Sequence, residues 1–550
     1  MNKFEVQHML FDDIPKRMSL QSIKFDYTPK NHNKVNVWRN HAIETIVELM
    51  QPYLAYGSWI VDFVLSDYDD TLTFDHIENA DLEVVWLDSS RYLASMTIDE
   101  WLAWLKSRIA ILRHSSKAPI IVATWCVSDN DVFALQTAVE NLPACYLADL
   151  RAVCEQAGVP LLDTRSMALS GTPLNSLCHA ILARELSCRW MPACLFPPIK
   201  AIAVDLDNTL HKGVLGEDGY KGVCIESGHI RFQRQLIELR NRGIFLALVS
   251  RNEMNDVKAL FKIRQDYPIR WEDFSVTEVS WGDKSTAILR IANTLRIGID
   301  AILYVDDNSG ELYDVTTRLS DVHAILADSD AEFTSRILSY YPALWRWTVN
   351  NDDAKRVHDF EANAERNRFL AESSNSGDYF RSLSVKLIIS VDPLEQLKRL
   401  SELCSKTNQF NLSLRRFNEA EIDDMLSCRD ACVVSVALSD KLADSGVIAV
   451  IVAVRDEQVL SIEELCISCR ALGRKLEDTI IMMSIRAMPQ FEGCKEVVFR
   501  LSHGPRNQPA QDWLAQCLSY ETKPLPGKHT LSSSFVKDFI ISPDLILQTS

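Results

Sequence analysis

By its apolar positions the chain divides into stretches of different rhythm. Up to about residue 195, short apolar runs (WIVDFVL at 59–65, LEVVWL at 82–87, PIIVATW at 119–125, PLL at 160–162) alternate with helical stretches such as 101–112. Strand, helix and strand in that order predict a parallel sheet with crossover helices. A second stretch of the same kind begins near Pro197. Its expected strands are IKAIAVDL (199–206), IFLALVS (244–250) and AILYVDD (301–307), with helices near 229–242 and 284–296. After Trp345 the text turns polar: NNDDAKRVHDFEANAERNRF (350–369) reads as an exposed helix and SSNSGD (373–378) as a joint. The last third opens with a helix at 394–404, then β-like runs at 433–438, 447–454 and 459–467, with RDEQ as a short hairpin turn between the last two. A helix over 474–488 and a short strand EVVF (496–499) follow. The predicted architecture is therefore α/β multidomain: a domain over 1–195, a second over 196–345, a helical linker over 346–380 and a last α+β domain over 381–550.

Length agrees, since 550 residues exceed several times the roughly 100–200 of one domain. With 47% hydrophobic and 24% charged residues, a disordered chain is excluded. The 58 basic and 75 acidic side chains leave a charge of −17, which repels nucleic-acid phosphates and anionic membrane surfaces, so neither is an expected partner. The first residues alternate charge with apolar side chains and do not read as a signal peptide, and no apolar run approaches the roughly 18 residues that would span a bilayer. The expected compartment is the cytoplasm. Fourteen scattered cysteines read as reduced thiols. Cys466 and Cys469 form the one C-x-x-C, but in a strand they face opposite sides of the sheet, which argues against a zinc or redox pair.

The chemistry gathers in the second domain. IKAIAV delivers Asp205, Asp207 and Thr209 just past a strand, where open parallel sheets hold their ligands. Of two carboxylates so placed, the first can attack phosphorus and the second can protonate the leaving group and later activate water. Ser250 ends the next strand with a hydroxyl for the phosphoryl oxygens, and Asn252 is expected beside it. Lys284, read as a solvent-facing charge before a helix, suits phosphate as a point cation. Asp306 and Asp307, at a further strand end, supply hard oxygens that with Asp205 and Asp207 complete a Mg²⁺ site. A near-copy, Asp67 to Thr71, lacks the later Ser, Lys and Asp-Asp series and is read as an acidic turn.

These blocks resemble the four motifs of the haloacid dehalogenase superfamily. DLDNTLHKGVLGEDG (205–219), KTNQFNLSLRRF (406–417) and SCRALGRKLE (468–477) narrow the resemblance to FkbH-like proteins of polyketide assembly lines, over roughly residues 80–500. The resemblance implies Asp205 as nucleophile and metal ligand, and Asp207 as an acid/base that also binds metal. It implies Thr209, Ser250, Asn252 and Lys284 around the phosphate, and Asp306 with Asp307 on Mg²⁺. Two departures stand out: His211, Lys212 and Gly213 replace an aromatic residue followed by small ones, and Arg251 stands where lysine is commoner; beside the nucleophile, His211 and Lys212 either tune substrate choice or are exposed loop residues.

The implied reaction takes a three-carbon unit from 1,3-bisphosphoglycerate, removes phosphate and loads glyceryl on an acyl carrier protein through its phosphopantetheine arm. Such an acidic partner needs a local basic surface, for which Arg415, Arg416, Arg470, Arg474 and Lys475 are the expected suppliers. The last domain resembles an acetyltransferase-like (GNAT-like) fold. Its RALGRK loop (470–475) precedes a helix N-terminus, a setting that suits coenzyme A or a carrier's arm, and Cys469 beside it is either the acyl-accepting thiol or a structural cysteine. The first domain resembles a degenerate esterase-like (SGNH-like) domain without a G-D-S block, and its His179 reads as a packing residue. Between Thr209 and Ser250 there is no room for a large cap, although LGEDGYKGVCI (215–225) could form a small β flap. The rival expectations are a plain Mg²⁺-dependent phosphatase of a phosphorylated acyl or sugar compound, and a non-catalytic scaffold for a carrier protein.

Overall fold

A computed structural model of the chain describes residues 1–549 except 28, 30, 75–78, 127, 164, 167–171, 349–350 and 374–375. The joint expected at 373–378 thus lies partly outside the described residues.

The first sheet contains β1 (Asn31–Arg39), β2 (Trp59–Tyr68), β3 (Leu82–Trp86), β4 (Ile120–Thr124) and β5 (Cys145–Asp149). All are parallel, in the order β2-β1-β3-β4-β5. The apolar runs of β3 and β4 are wholly buried. β1 is less legible because it carries polar residues into the interior, where Trp38 donates its indole N–H to Glu83 on β3 at 2.7 Å and Asn36 reaches the same carboxylate at 3.4 Å. PLL (160–162) forms no strand; Leu162 makes only an isolated bridge to Leu174.

The second sheet contains β6 (Ala201–Val204), β7 (Phe245–Ser250), β8 (Val276–Val279), β9 (Ile302–Asp306) and β10 (His323–Leu326). It is again all parallel, in the order β10-β9-β6-β7-β8. Strands β6, β7 and β9 bury every residue, as strands covered by helices on both faces must. The chain reverses its winding between β6 and β9, which opens a crevice at their C-terminal ends. In place of a β flap, the segment after the first motif is a short helix, Leu215–Gly222, kinked at Gly219 and closed by a bridge between Lys212 and Cys224. One apolar core runs unbroken through both domains, from Tyr53, Trp59 and Leu186 to Phe232, Leu246 and Leu344.

The third sheet has its own core. Its strands are β11 (Lys386–Val391), β12 (Ala431–Ser439), β13 (Asp444–Asp456), β14 (Val459–Ile467), β15 (Glu496–Leu501), β16 (Gly527–Ser532) and β17 (Ile546–Thr549), in the order β16-β15-β14-β13-β12-β11-β17. Pairing is antiparallel except for β14 with β15 and β11 with β17. β14 and β15 pair only from Val459 to Ile462. Beyond that, residues 410–412 enter between them: the Leu412 amide donates to Leu465 at 3.2 Å, the Ile467 amide to Phe410 at 2.9 Å and the Ser502 amide to Leu412 at 2.8 Å. The chain itself thus supplies ladder partners where the two strands part.

The polar stretch after Trp345 is not an exposed helix. It forms helices Asn351–Glu361 and Asn363–Glu372, with Val357, Asp359 and Arg366 buried. Asp359 lies 3.0 Å from Arg366 and 3.1 Å from Arg474, and Asp440 takes the other sides of the same two guanidinium groups at 2.7 and 3.2 Å. Its charges are paired in the interior, which a reading of polarity alone misses. Among the described residues, no helix is long and apolar enough to cross a membrane.

Candidate active site

The buried run of β6 ends by delivering Asp205 into the crevice beside β9, where the Asp205 amide donates to the Val305 carbonyl at 2.9 Å. From the facing strand end come Asp306 and Asp307. Each of the three aspartates offers a carboxylate oxygen, and these oxygens lie within 4.8 Å of one another. Lys284, first residue of helix Lys284–Leu295, bridges Asp205 Oδ1 at 2.8 Å and Asp306 Oδ2 at 2.5 Å. It is only 6% exposed, so the expected solvent-facing charge is instead an interior one, drawn in by two carboxylates converging from separate strands. The Tyr304 hydroxyl also donates to Asp306 Oδ2, and the Asn308 amide to Oδ1 at 2.8 Å.

The charges do not balance. Burial works against ionisation of Asp205, and Asp306 adds to this; Lys284 opposes both but does not prevail, and the carboxyl is pushed up to about 8. Burial and the Asp306 charge raise Asp307 as well. Burial alone would make the Lys284 ammonium give up its proton, but Asp205 and Asp306 more than offset that and raise it. Three carboxylates around one ammonium make a donor set of hard oxygens with surplus negative charge, which fits Mg²⁺. A divalent cation held there would favour the ionised form of Asp205.

Asp207 lies at the mouth of this cluster. Burial raises its proton affinity, but hydrogen bonds from His211 (3.2 Å), the Leu215 amide (2.9 Å) and Asn252 (2.7 Å) outweigh it and hold the carboxyl below its usual range. Asn252 also donates to the Ser250 hydroxyl at 3.0 Å, so the end of β7 is tied to the end of β6. Thr209 is buried, and its hydroxyl has no hydrogen-bond partner among the described residues. Asn208, between the two motif aspartates and Thr209, takes a left-handed backbone (φ 52°), a conformation asparagine tolerates. Asp205, Asp207, Thr209, Ser250, Asn252, Lys284, Asp306 and Asp307 thus converge on one crevice.

Of the two departing residues beside the nucleophile, Lys212 is an exposed loop residue paired with Glu226 at 3.1 Å, whereas His211 is not. His211 is fully buried, and its second ring nitrogen lies 2.9 Å from the Tyr267 hydroxyl. With the tyrosine donating to Nδ1, the proton resides on Nε2 and points at Asp207. Tyr304 was legible in principle, because two residues before Asp306 on one strand means the same face. Arg251 pairs with Glu311 at 2.8 Å, closing the rim.

The remaining residues singled out in the sequence lie elsewhere. Asp69 of the near-copy accepts from the amides of Thr71 and Thr73 at 2.7 and 2.8 Å, as a self-contained acidic turn does. His179 lies in helix Ser176–Glu185 with burial lowering its proton affinity. Cys466 is buried beside Glu464, and Cys469 lies past the end of β14 in a cleft it shares with Lys200. Lys200 and Asp205 flank opposite ends of β6, which at about 3.3 Å per residue sets the two places roughly 16 Å apart. Of the expected surface cations, Arg470 and Arg474 are buried, and Arg415 pairs with Glu463 at 3.2 Å. The helix after RALGRK starts at Glu477, whose carboxylate accepts from the Gly473 amide at 2.9 Å. With Asp478 it fills that helix N-terminus with negative charge, which works against a phosphate there.

No family model and no curated protein matches the chain. Among solved structures it is similar to the N-terminal part of the protein BF1531 from Bacteroides fragilis, which contains a phosphatase domain and was solved with Mg. The two are 17% identical over 62% of this chain and 99% of that one, with a TM-score of 0.46. Two mutants of the spermidine N-acetyltransferase SpeG from Vibrio cholerae are 10% and 8% identical over 27% and 28% of this chain and 95% and 96% of theirs, each with a TM-score of 0.20. Likeness at these scores says nothing about chemistry, which has to come from the side chains.

Proposed function

We propose that this chain is a Mg²⁺-dependent phosphatase of the haloacid dehalogenase type. The observation that carries the reading is Lys284 bridging Asp205 and Asp306 at 2.8 and 2.5 Å inside a three-carboxylate cluster at the β6–β9 crevice. When bound there, Mg²⁺ neutralises charge between a carboxylate nucleophile and an anionic phosphate. An Asp205 oxygen attacks phosphorus, the bond to the leaving oxygen breaks, and Asp207 supplies that oxygen's proton where one is needed. Water then attacks the aspartyl phosphate, Asp207 takes its proton, and inorganic phosphate leaves. Held below the usual carboxylate range by His211, Leu215 and Asn252, Asp207 is ionised and free to accept a proton in the second step, which suits a first step whose leaving oxygen needs no proton, as with an acyl phosphate. The Lys284 ammonium and the hydroxyls of Thr209 and Ser250 hold the phosphoryl oxygens.

The finer reading rests on the likeness of 205–219, 406–417 and 468–477 to FkbH-like proteins. The substrate is then 1,3-bisphosphoglycerate: Asp205 takes the C3 phosphate ester, the Cys469 thiol attacks the acyl carbon and expels the C1 phosphate, and the glyceryl unit passes by thioester exchange to the phosphopantetheine thiol of an acyl carrier protein, freeing Cys469. One observation favours the plain phosphatase instead: Cys469 and Asp205 lie at opposite ends of β6, so the two half-reactions do not share a pocket. The test incubates the protein with Mg²⁺, 1,3-bisphosphoglycerate and candidate carriers, reading inorganic phosphate by colorimetry and carrier mass by spectrometry. Phosphate with an unchanged carrier mass selects the plain phosphatase. No phosphate with any phosphorylated acyl or sugar compound ends both readings.

A further inference from the structure

At the N-terminal ends of β6 and β9, the second domain faces the third across a narrow cleft with about 60 Å³ of enclosed space. Seven basic side chains line it against two acidic ones, in a chain whose net charge is −17. Three of the seven have their counterions at hand: Arg356 with Asp353 at 2.7 Å, Lys406 with Asp353 at 2.8 Å, and Arg399 with Asp352 at 3.3 Å. Arg506 pairs with Asp300. Lys200, Arg296 and Arg470 have no carboxylate partner among the described residues. Each donates instead to a backbone carbonyl: Lys200 to Lys406 at 2.8 Å, Arg296 to Leu472 at 3.2 Å and Arg470 to Ser445 at 2.7 Å.

Arg470 is only 6% exposed. A guanidinium so buried, with no carboxylate in contact and Asp359 and Asp444 acting on it only at a distance, is costly, and a structural role alone is served better by an apolar side chain. We propose that this cleft is a second anion site, separate from the Asp205 crevice, that takes a small ligand carrying at least two phosphate charges. Guanidinium forks and a lysine point charge around one space are the donor set that phosphate oxygens match. So narrow a cleft admits phosphate groups from its open side and leaves no room for a protein segment. Burial, and then Arg399 and Arg356, lower Arg470 to about 10, while burial brings Lys200 to about 8 with Arg356 and Lys406 adding to the fall. A polyanion would relieve both. Cys469, in the wall of the same cleft, provides a reporter.

The experiment uses full-length Asp205→Asn protein in EDTA, so that neither metal nor phosphate chemistry contributes, with pyrophosphate as probe at constant ionic strength. Iodoacetamide labelling is followed by peptide mass spectrometry at Cys469 and at the exposed Cys224 and Cys428. Pyrophosphate at about 10 mM, roughly ten times a weak-site Kd on the order of 1 mM, is expected to slow labelling of Cys469 at least about fivefold and to leave the two controls unchanged. Arg296→Gln, a change at an exposed position, and Lys200→Gln should each remove most of that protection. An unchanged Cys469 rate, equal slowing at the controls, equal slowing by chloride, or protection seen in the wild type but not in Asp205→Asn overturns the proposal. The phosphatase reading stands or falls separately, on phosphate release.

Discussion

The two ends of β6 carry opposite surpluses of charge. At the C-terminal end, Asp205, Asp306 and Asp307 surround the single ammonium of Lys284. At the N-terminal end, Lys200 opens into a cleft lined by seven cations, of which Lys200, Arg296 and Arg470 touch no carboxylate among the described residues. Neither arrangement is what burial alone selects, because an uncompensated interior charge costs several kcal/mol and well-packed apolar side chains do as well or better. Each imbalance is of the sign that a particular ligand corrects: a hard divalent cation with its phosphate at one end, an anion at the other. The lesson is that an unbalanced interior charge marks function more sharply than a paired one. The buried Asp359, Arg366, Asp440 and Arg474 cluster, with two acids against two bases, needs no ligand and reads as a structural clamp between the helices at 351–372 and the third sheet.

The comparison breaks most visibly at the acidic end. Asp205→Asn keeps the shape and removes the nucleophile, so phosphate release should fall on the order of 10⁴-fold or more while circular dichroism stays unchanged. Wild-type turnover by the Asn variant would mean that another group attacks phosphorus. Exhaustive chelation should stop turnover almost as completely, with Mg²⁺ restoring it. It should also lower the melting temperature, since Mg²⁺ at 100 times its Kd stabilises the folded chain by about 2.7 kcal/mol. Full activity in excess EDTA would end the metal assignment.

A smaller effect is expected at Lys284, where activity and stability move together. Lys284→Met should cost roughly 10²- to 10³-fold in phosphate release, the usual worth of one preorganised charge at a reacting oxyanion. It also leaves two buried carboxylates without their shared cation. In EDTA the variant should therefore lose about 3 kcal/mol in chemical denaturation, part of which Mg²⁺ should return. Equal midpoints for variant and wild type in EDTA would show that the ammonium compensates nothing.

Much of this site is legible in the sequence, because Asp205, Ser250 and Asp306 fall at the ends of wholly buried strands. Val204, Val249 and Val305 are each followed within two residues by a side chain of the crevice. The burial of Lys284 was not legible, since it depends on Asp205 and Asp306 arriving together from strands a hundred residues apart in the chain. The same holds for Arg470 and Arg474, which read as surface charges and are interior once the third sheet docks on helix Asn351–Glu361. β1 escaped notice because its polar residues find partners on β3, and β5 because CYLAD is short and only partly buried. The β flap failed at Gly219, whose left-handed backbone (φ 64°) turns the segment into a kinked helix.

The smallest effect sharpens the comparison by asking what charge Asp205 carries without metal. Its folded proton affinity is raised from an ordinary 3.8 to about 8, mainly by burial, with Asp306 adding to it and Lys284 opposing. A carboxyl whose folded value lies above its unfolded one contributes stability that is fully present below the unfolded value and lost as pH rises through the folded one. In EDTA, wild-type protein should therefore lose stability through Asp205 between about pH 4 and pH 8, where the unfolded chain has already released the proton that the folded chain retains. Asn mimics the neutral carboxyl and cannot titrate. The melting temperature of Asp205→Asn minus that of wild type should then be positive at pH 8, by roughly 2 °C, and shrink towards pH 5. Other groups titrate over the same range, but they are common to both proteins and cancel in the difference. Saturating Mg²⁺ should reverse the sign at pH 8, because the ionised carboxylate then gains a ligand that Asn binds poorly. A difference that stays flat with pH in EDTA would mean that Lys284 alone keeps Asp205 ionised, and that the acidic end is balanced without its cation.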